Sequence, residues 1–249
     1  MENNSTIQEV FMLPSKGKVY DKEVNPVIEL SSMTTWQEMK RMSPSDMPYK
    51  RMSDIIEECM TSKPSISVYD MCLGDYQYLL TKLRVITFGA EYKVSNTCPQ
   101  CGEFVECIAD LDSMGILEYD ESYEDLKIVE LPVCGDTITL TYQTPRKLDE
   151  INRKSKEMQR KTKLNIDFTL LFGLMSVIDK VNGNKMNVIQ LEDYCKKLNM
   201  KDVNTILQKA EELNEKVGVD NSLIAICPNC GNEVISGFRI TNEFFRPTN

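Results

Sequence analysis

Two pentapeptides carry almost the same message, Cys98-Pro99-Gln100-Cys101-Gly102 and Cys227-Pro228-Asn229-Cys230-Gly231. A Cys-x-x-Cys turn presents two thiolates to one ion, and a glycine after the second cysteine tolerates the left-handed backbone that turns amide N–H groups toward sulfur. Together the turns offer Cys98, Cys101, Cys227 and Cys230. Four thiolates close a tetrahedral shell and leave no position open for water or substrate, so the expected ion is a structural zinc. The competing readings are a thioredoxin-type redox pair, whose βαβ setting is missing, and unliganded thiols. The long stretch between the turns is no obstacle. Loop closure adds only about 0.6 kcal/mol per doubling of length, against roughly 10–16 kcal/mol of apparent zinc binding in finger peptides.

The rest of the composition removes chemistry. The chain of 249 residues contains no histidine, so no Ser-His-Asp or Cys-His pair and no His-ligated catalytic metal can be built. No catalytic residue is expected, and the protein reads as a non-enzyme. With 29 Lys+Arg against 38 Asp+Glu and a net charge of −9, the balance opposes binding to a phosphate backbone. The alternative of a zinc-ribbon nucleic-acid binder or transcription regulator meets the same objection locally: Glu103, Glu106, Asp110, Asp112, Asn232 and Glu233 surround the turns. A basic stretch from Arg146 to Lys163, interrupted by Asp149, Glu150 and Glu157, reads as a solvated helix face or a contact for an acidic protein. Lys16-Gly17-Lys18 lacks the spacing of a phosphate loop.

The remaining cysteines have a plainer reading. Cys59, Cys72 and Cys195 occupy apolar helical positions, and Cys107 and Cys134 lie in or beside strands, where free cysteine packs as a small hydrophobe; the last two are the spare ligands if any exist. Met33, Met39, Met42, Met47, Met52 and Met60 form a dense group, either core filler or an adaptable binding surface. The acid pairs Asp110/Asp112 and Asp120/Glu121 have no calcium-loop spacing and read as solvated.

The elements that must position the sulfurs follow from periodicity. Short strands flank a turn at Pro14–Lys18, with Val19-Tyr20 and Val27–Leu30 read as strand. Three helices come next, the first capped at Thr34 or Thr35 with Glu38 as box partner, the second from Tyr49 to Met60, the third from Val68 to Phe88. Strands are expected at 92–94, 104–108, 127–131 and 137–142, with an acidic exposed connection over 110–125. Helices return over 145–163, 166–181, 188–198 and 203–217, and strands at 223–226 and 234–235 precede a polar tail. The apolar run Phe168 to Ile178 is too short for a bilayer, which takes about 20 residues, so it is expected to be a buried helix and no membrane association is expected. The polar start, Met1 to Gln8, lacks a signal-type apolar core, so a reducing cytosol is the expected setting.

The predicted fold is therefore α+β and mainly helical, with a small antiparallel zinc-ribbon-like sheet and an inserted helical bundle. Its expected parts are residues 1–92 with short strands and three helices, a split β module of 93–144 and 219–249, and an inserted helical region of 145–218.

Several short motifs recur in an order met elsewhere. Leu13-Pro14-Ser15-Lys16-Gly17-Lys18-Val19-Tyr20, Met33-Thr34-Thr35, Ile55-Ile56 with Cys59, Tyr69-Asp70-Met71, Asp75 through Leu79-Leu80 to Leu83-Arg84, and Phe88-Gly89 with Tyr92 ahead of the first cysteine turn resemble the baseplate hub and hub-assembly proteins of T-even-like contractile-tailed bacteriophages. The resemblance spans roughly the first 100 residues and leaves the helical insertion unmatched. It implies a protein that works in the cytoplasm of the infected bacterium, binds other baseplate hub proteins, and either joins the hub or promotes its assembly. The length and the long helical region look closer to the assembly factor. The binding surface would be the apolar or Met-rich helices and the loop at Lys16-Gly17-Lys18.

Overall fold

The computed structural model describes residues 6–62, 64–220, 222–237 and 242–245. Strands β1 (Gln8–Met12) and β2 (Val27–Ser31) pair antiparallel, and helices α1 (Thr35–Met42), α2 (Pro48–Cys59) and α3 (Leu73–Phe88) follow. Hairpin β3 (Glu91–Thr97) and β4 (Phe104–Asp110) comes next, then β5 (Ile116–Leu117), β6 (Ile128–Glu130) and β7 (Thr137–Leu140). Then come α4 (Pro145–Thr162), α5 (Thr169–Val177), β8 (Ile178–Val181), α6 (Val188–Lys197), α7 (Met200–Glu215) and β9 (Gly218–Val219). A second hairpin, β10 (Ser222–Ile226) with β11 (Glu233–Gly237), ends the series. The fold is α+β, with every sheet small and antiparallel.

Local chemistry sets the helix starts. Thr34 caps α1 in a capping box closed by Gln37 instead of the expected Glu38, because the box needs the third helical residue. Glu38 pairs with Arg41 at 2.7 Å. Pro48 begins α2, which has no cap of its own; the α4 carboxylate of Asp149 accepts from the Lys50 N–H at 2.8 Å and does that job from a distant part of the chain. The third helix begins later than its periodicity suggests. Val68–Asp70 forms a single tight turn, and extended backbone at Met71 and Cys72 separates it from α3. Val19 and Tyr20 lie in a bend, not a strand.

Two apolar cores result. The first gathers Leu13, Ile28, Leu30, Ile55, Ile56, Val68, Leu79 and Leu83, together with Phe244 and Phe245, which were expected in a polar tail but are buried. The second lies under α5–α7 and contains Val129, Leu131, Ile138, Leu140, Leu174, Val177, Ile206 and Leu213. Here the helical reading of 166–181 is corrected. The helix stops at Val177, and Ile178–Val181 joins a three-stranded sheet in the order β6-β7-β8. A short apolar run cannot be assigned by periodicity alone; the free edge of β7 offered β-branched Ile178 and Val181 a ladder. Residues 145–218 are thus not purely helical, and the strands at 128–130 and 137–140 belong with β8. The cores meet where α3 passes β9, with no room to spare: a Cβ on Gly74 would lie 1.9 Å from the Val217 carbonyl oxygen.

Candidate metal centre

The sulfurs of Cys98, Cys101, Cys227 and Cys230 all lie within 4.8 Å of one another. Cys98 Sγ is 3.7 Å from Cys230 Sγ, and Cys101 Sγ is 3.6 Å from Cys227 Sγ. Zinc–sulfur bonds of about 2.3 Å arranged tetrahedrally place their sulfurs roughly 3.8 Å apart, so the donor set fits a four-thiolate zinc. Each turn closes in the same way. The Cys98 N–H donates to the Glu103 carbonyl at 2.8 Å and the Gly102 N–H to the Cys98 carbonyl at 2.9 Å; the Cys227 and Gly231 N–H groups repeat this toward Asn232 and Cys227, both at 2.9 Å. Gly102 and Gly231 have φ of 76° and 71°, the left-handed conformation the sequence required of them.

The two hairpins extend this likeness. Val105 and Val234, each seven residues beyond the first cysteine of its turn, are buried with Cys98, Cys227 and the partly buried Ala225 in a small cluster of their own. β4 lies against β10 and β3 against β11, the exchange expected of a local two-fold relation between the turns. Cys98 and Cys227 are buried while Cys101 and Cys230 reach the surface, again one of each per turn.

The electrostatics suit a cation. N–H groups of Cys101 and, less strongly, Gln100 draw the Cys98 thiol down to about 7, favouring thiolate. At Cys230 the Asn232 N–H acts the same way but is outweighed by the crowded sulfurs of Cys101, Cys227 and Cys98 together with desolvation, and that thiol is pushed up to about 12. Such crowding penalises a second negative charge until a cation enters.

The other candidates scatter. Cys107 is half-buried in β4 and packs on the first core, and Cys134 is exposed, so neither joins the cluster. Cys59, Cys72 and Cys195 are buried, and burial raises the Cys59 and Cys195 thiols to about 12. The methionine group divides, with Met33 and Met60 buried and Met39, Met42 and Met47 exposed. Lys16 and Lys18 are engaged by the acidic connection, through Glu118 at 2.8 Å and Glu121 at 3.2 Å.

One polar node escaped the sequence reading. Asp75 of α3 is wholly buried, and its carboxylate accepts from the Ser15 N–H at 2.9 Å, the Ser15 hydroxyl at 2.5 Å and the Tyr20 hydroxyl at 2.6 Å. Tyr20 in turn accepts from the Cys72 N–H at 3.2 Å. Burial raises the Asp75 carboxyl, against the lowering effect of these donors. The Leu13–Tyr20 motif and the Asp75 motif are therefore one hydrogen-bonded unit. The sequence marked both segments as motifs but gave no sign that they touch, beyond Asp75 falling on the apolar side of a helix.

With this geometry in place, comparison gives the class. Residues 5–246 match the family described as T4 bacteriophage base plate protein, and the chain belongs to that family. The match takes in the region from Pro145 to Val217 that the sequence resemblance left open. No curated protein sequence and no solved structure matches it. Among the described residues no helix is long and apolar enough to cross a membrane.

Proposed function

We propose that the protein is a non-enzymatic hub-assembly factor of the phage baseplate, which binds other hub proteins in the cytoplasm of the infected bacterium and is held in shape by a zinc ion on Cys98, Cys101, Cys227 and Cys230. The family match over nearly the whole chain carries the baseplate role. The converged sulfurs carry the metal. When bound, zinc would supply cross-linking of two distant hairpins and neutralisation of the thiolates, with no ligand position left for substrate.

An exposed face on α1, with Trp36, Met39 and Met42 turned outward, suits adaptable contacts with partner proteins. The acids around the cysteine turns oppose a nucleic-acid role for them.

The test uses the zinc-loaded full chain as bait against the other late tail proteins of the phage, with proteomics of finished particles alongside. Capture of hub proteins together with absence from the finished particle supports an assembly factor. Retention in the particle would make it a hub component, and failure to bind any hub protein would remove the proposal.

A further inference from the structure

Two exposed patches of opposite character lie on this chain. On α4, Arg153, Lys156, Arg160 and Lys163 are spaced so that they share one helix face. Between Pro145 and Lys163 there are eight basic and three acidic residues, in a chain whose net charge is −9. Arg153 is tied to Glu157 at 2.8 Å, but Lys156, Arg160, Lys161 and Lys163 make no ion pair among the described residues. Just beyond the helix, Leu164 and Ile166 are 50% and 51% exposed. This apolar tip is held in place, because Gln159 Nε2 donates to the Ile166 carbonyl at 2.8 Å and the Lys163 N–H to the Gln159 carbonyl at 2.9 Å.

The counterpart is β4. Alternation puts Phe104, Glu106, Ile108 and Asp110 on the outward side of the strand, with Phe104 and Ile108 58% and 63% exposed. Ile224 and Ile226 are exposed on the adjoining β10, and Glu103 and Glu233 flank the same region. One patch is apolar and framed by cations; the other is apolar and predominantly acidic, with Glu91, Glu103, Glu106, Asp110 and Glu233 outnumbering Lys93, which lies across from Ile108 on β3. Favourable placement of cations at a helix C-terminus accounts for Arg160 and Lys161. It does not account for the tethered Leu164 and Ile166.

We propose that the tip of α4, from Lys156 to Ile166, docks on the outer face of β4 in a second copy of this chain. Leu164 and Ile166 cover Phe104 and Ile108, while the lysines and arginine face Glu106 and Asp110. The contact is heterologous, because each copy offers one tip and one face, so association continues into a ring or an open chain instead of stopping at a symmetric dimer.

Sedimentation velocity of the zinc-loaded full chain at increasing concentration tests this. The mean mass should rise with concentration. Reversing the tip (Arg160→Glu with Lys161→Glu) or the face (Glu106→Lys with Asp110→Lys) should each weaken association by about tenfold or more, as expected when two pairs of surface charges are made repulsive. An equimolar mixture of the two variants should associate again, since each reversed tip then meets a reversed face. Circular dichroism and zinc content should match the parent, as all four side chains are exposed. A chain that stays monomeric throughout, association indifferent to either reversal, or a mixture that fails to recover would overturn the proposal. Monomeric protein whose β4 face is instead blocked by a hub protein would reassign that face to the heterologous partner.

Discussion

The Asp75 node and the four-cysteine cluster do the same mechanical work by opposite means. Each is a group of polar atoms that pins together segments far apart in sequence, 60 residues for Ser15 to Asp75 and 132 for Cys98 to Cys230. Around Asp75 the complement is covalently part of the chain: a hydroxyl, a phenol and an amide converge on one carboxylate. Around the cysteines sulfurs face sulfurs, and among the described residues the small cluster beneath them consists of buried Cys98, Val105, Cys227 and Val234 with Ala225 packed against it. A node whose donors are supplied by the polypeptide stands by itself, whereas one built from like ligands is expected to need an ion from outside.

The largest expected effect would break the sulfur half of that comparison. Cys98→Ser or Cys227→Ser should abolish stoichiometric zinc, measured by metal analysis, and should expose the cysteine ends of the hairpins, residues 97–105 and 225–234, to rapid hydrogen exchange while the two apolar cores, which include Val94 and Ala109, keep their protection. The scale of loss is set by structural zinc sites, roughly 10–16 kcal/mol of apparent binding free energy. Full protection of both hairpins in metal-free protein would show that the cluster needs no ion.

The carboxylate half should yield less. Asp75→Ala leaves buried donors on Ser15 and Tyr20 without an acceptor, and at about 1–3 kcal/mol for each such group the chain should lose about 3 kcal/mol in denaturant unfolding. Zinc content should be unchanged. Tyr20→Phe removes only one donor and should cost about 1 kcal/mol. Equal losses for the two variants would mean that Tyr20, not Asp75, organises the loop.

Mild acid sharpens the contrast, because the nodes respond with opposite signs. The Asp75 carboxyl is raised above its ordinary value, so the folded state holds its proton to higher pH than the unfolded chain does. Its contribution is complete below the ordinary carboxylate pKa and declines as pH rises through the raised value. Acidification therefore relieves Asp75, while protons would compete with a bound zinc for the thiolates. Hydrogen exchange followed through falling pH should show the cysteine hairpins opening first, with the Leu13–Tyr20 loop still protected. Simultaneous opening of both regions would contradict that order. Smallest of all, Lys16→Ala and Lys18→Ala should each change stability by less than about 1 kcal/mol, as exposed ion pairs do, and salt should erase the difference.

The convergence of the four cysteines was legible because its signal is local. Cys-Pro-x-Cys-Gly fixes a turn, two ligands and a left-handed glycine within five residues, and a second copy states that a partner exists. The α4 start at Pro145 and the helical run of α7 were legible for the same reason, since each depends on neighbours within a turn or two, whereas the α1 cap was narrowed only to Thr34 or Thr35 and its box partner is Gln37, not Glu38. Ile178–Val181 was misread as helix because the choice was made by the free edge of β7, some 40 residues earlier in the chain.

The sequence by itself determined the donor types, the α+β character and the exclusion of histidine chemistry, for these follow from residue identity and short-range geometry. Tertiary structure alone decided that Asp149 would cap a helix at Tyr49, 100 residues before it, that Asp75 would bind Ser15 and Tyr20, and that Phe244 and Phe245 would fill a core. Each of those contacts joins groups whose separation along the chain carries no information about their distance in space.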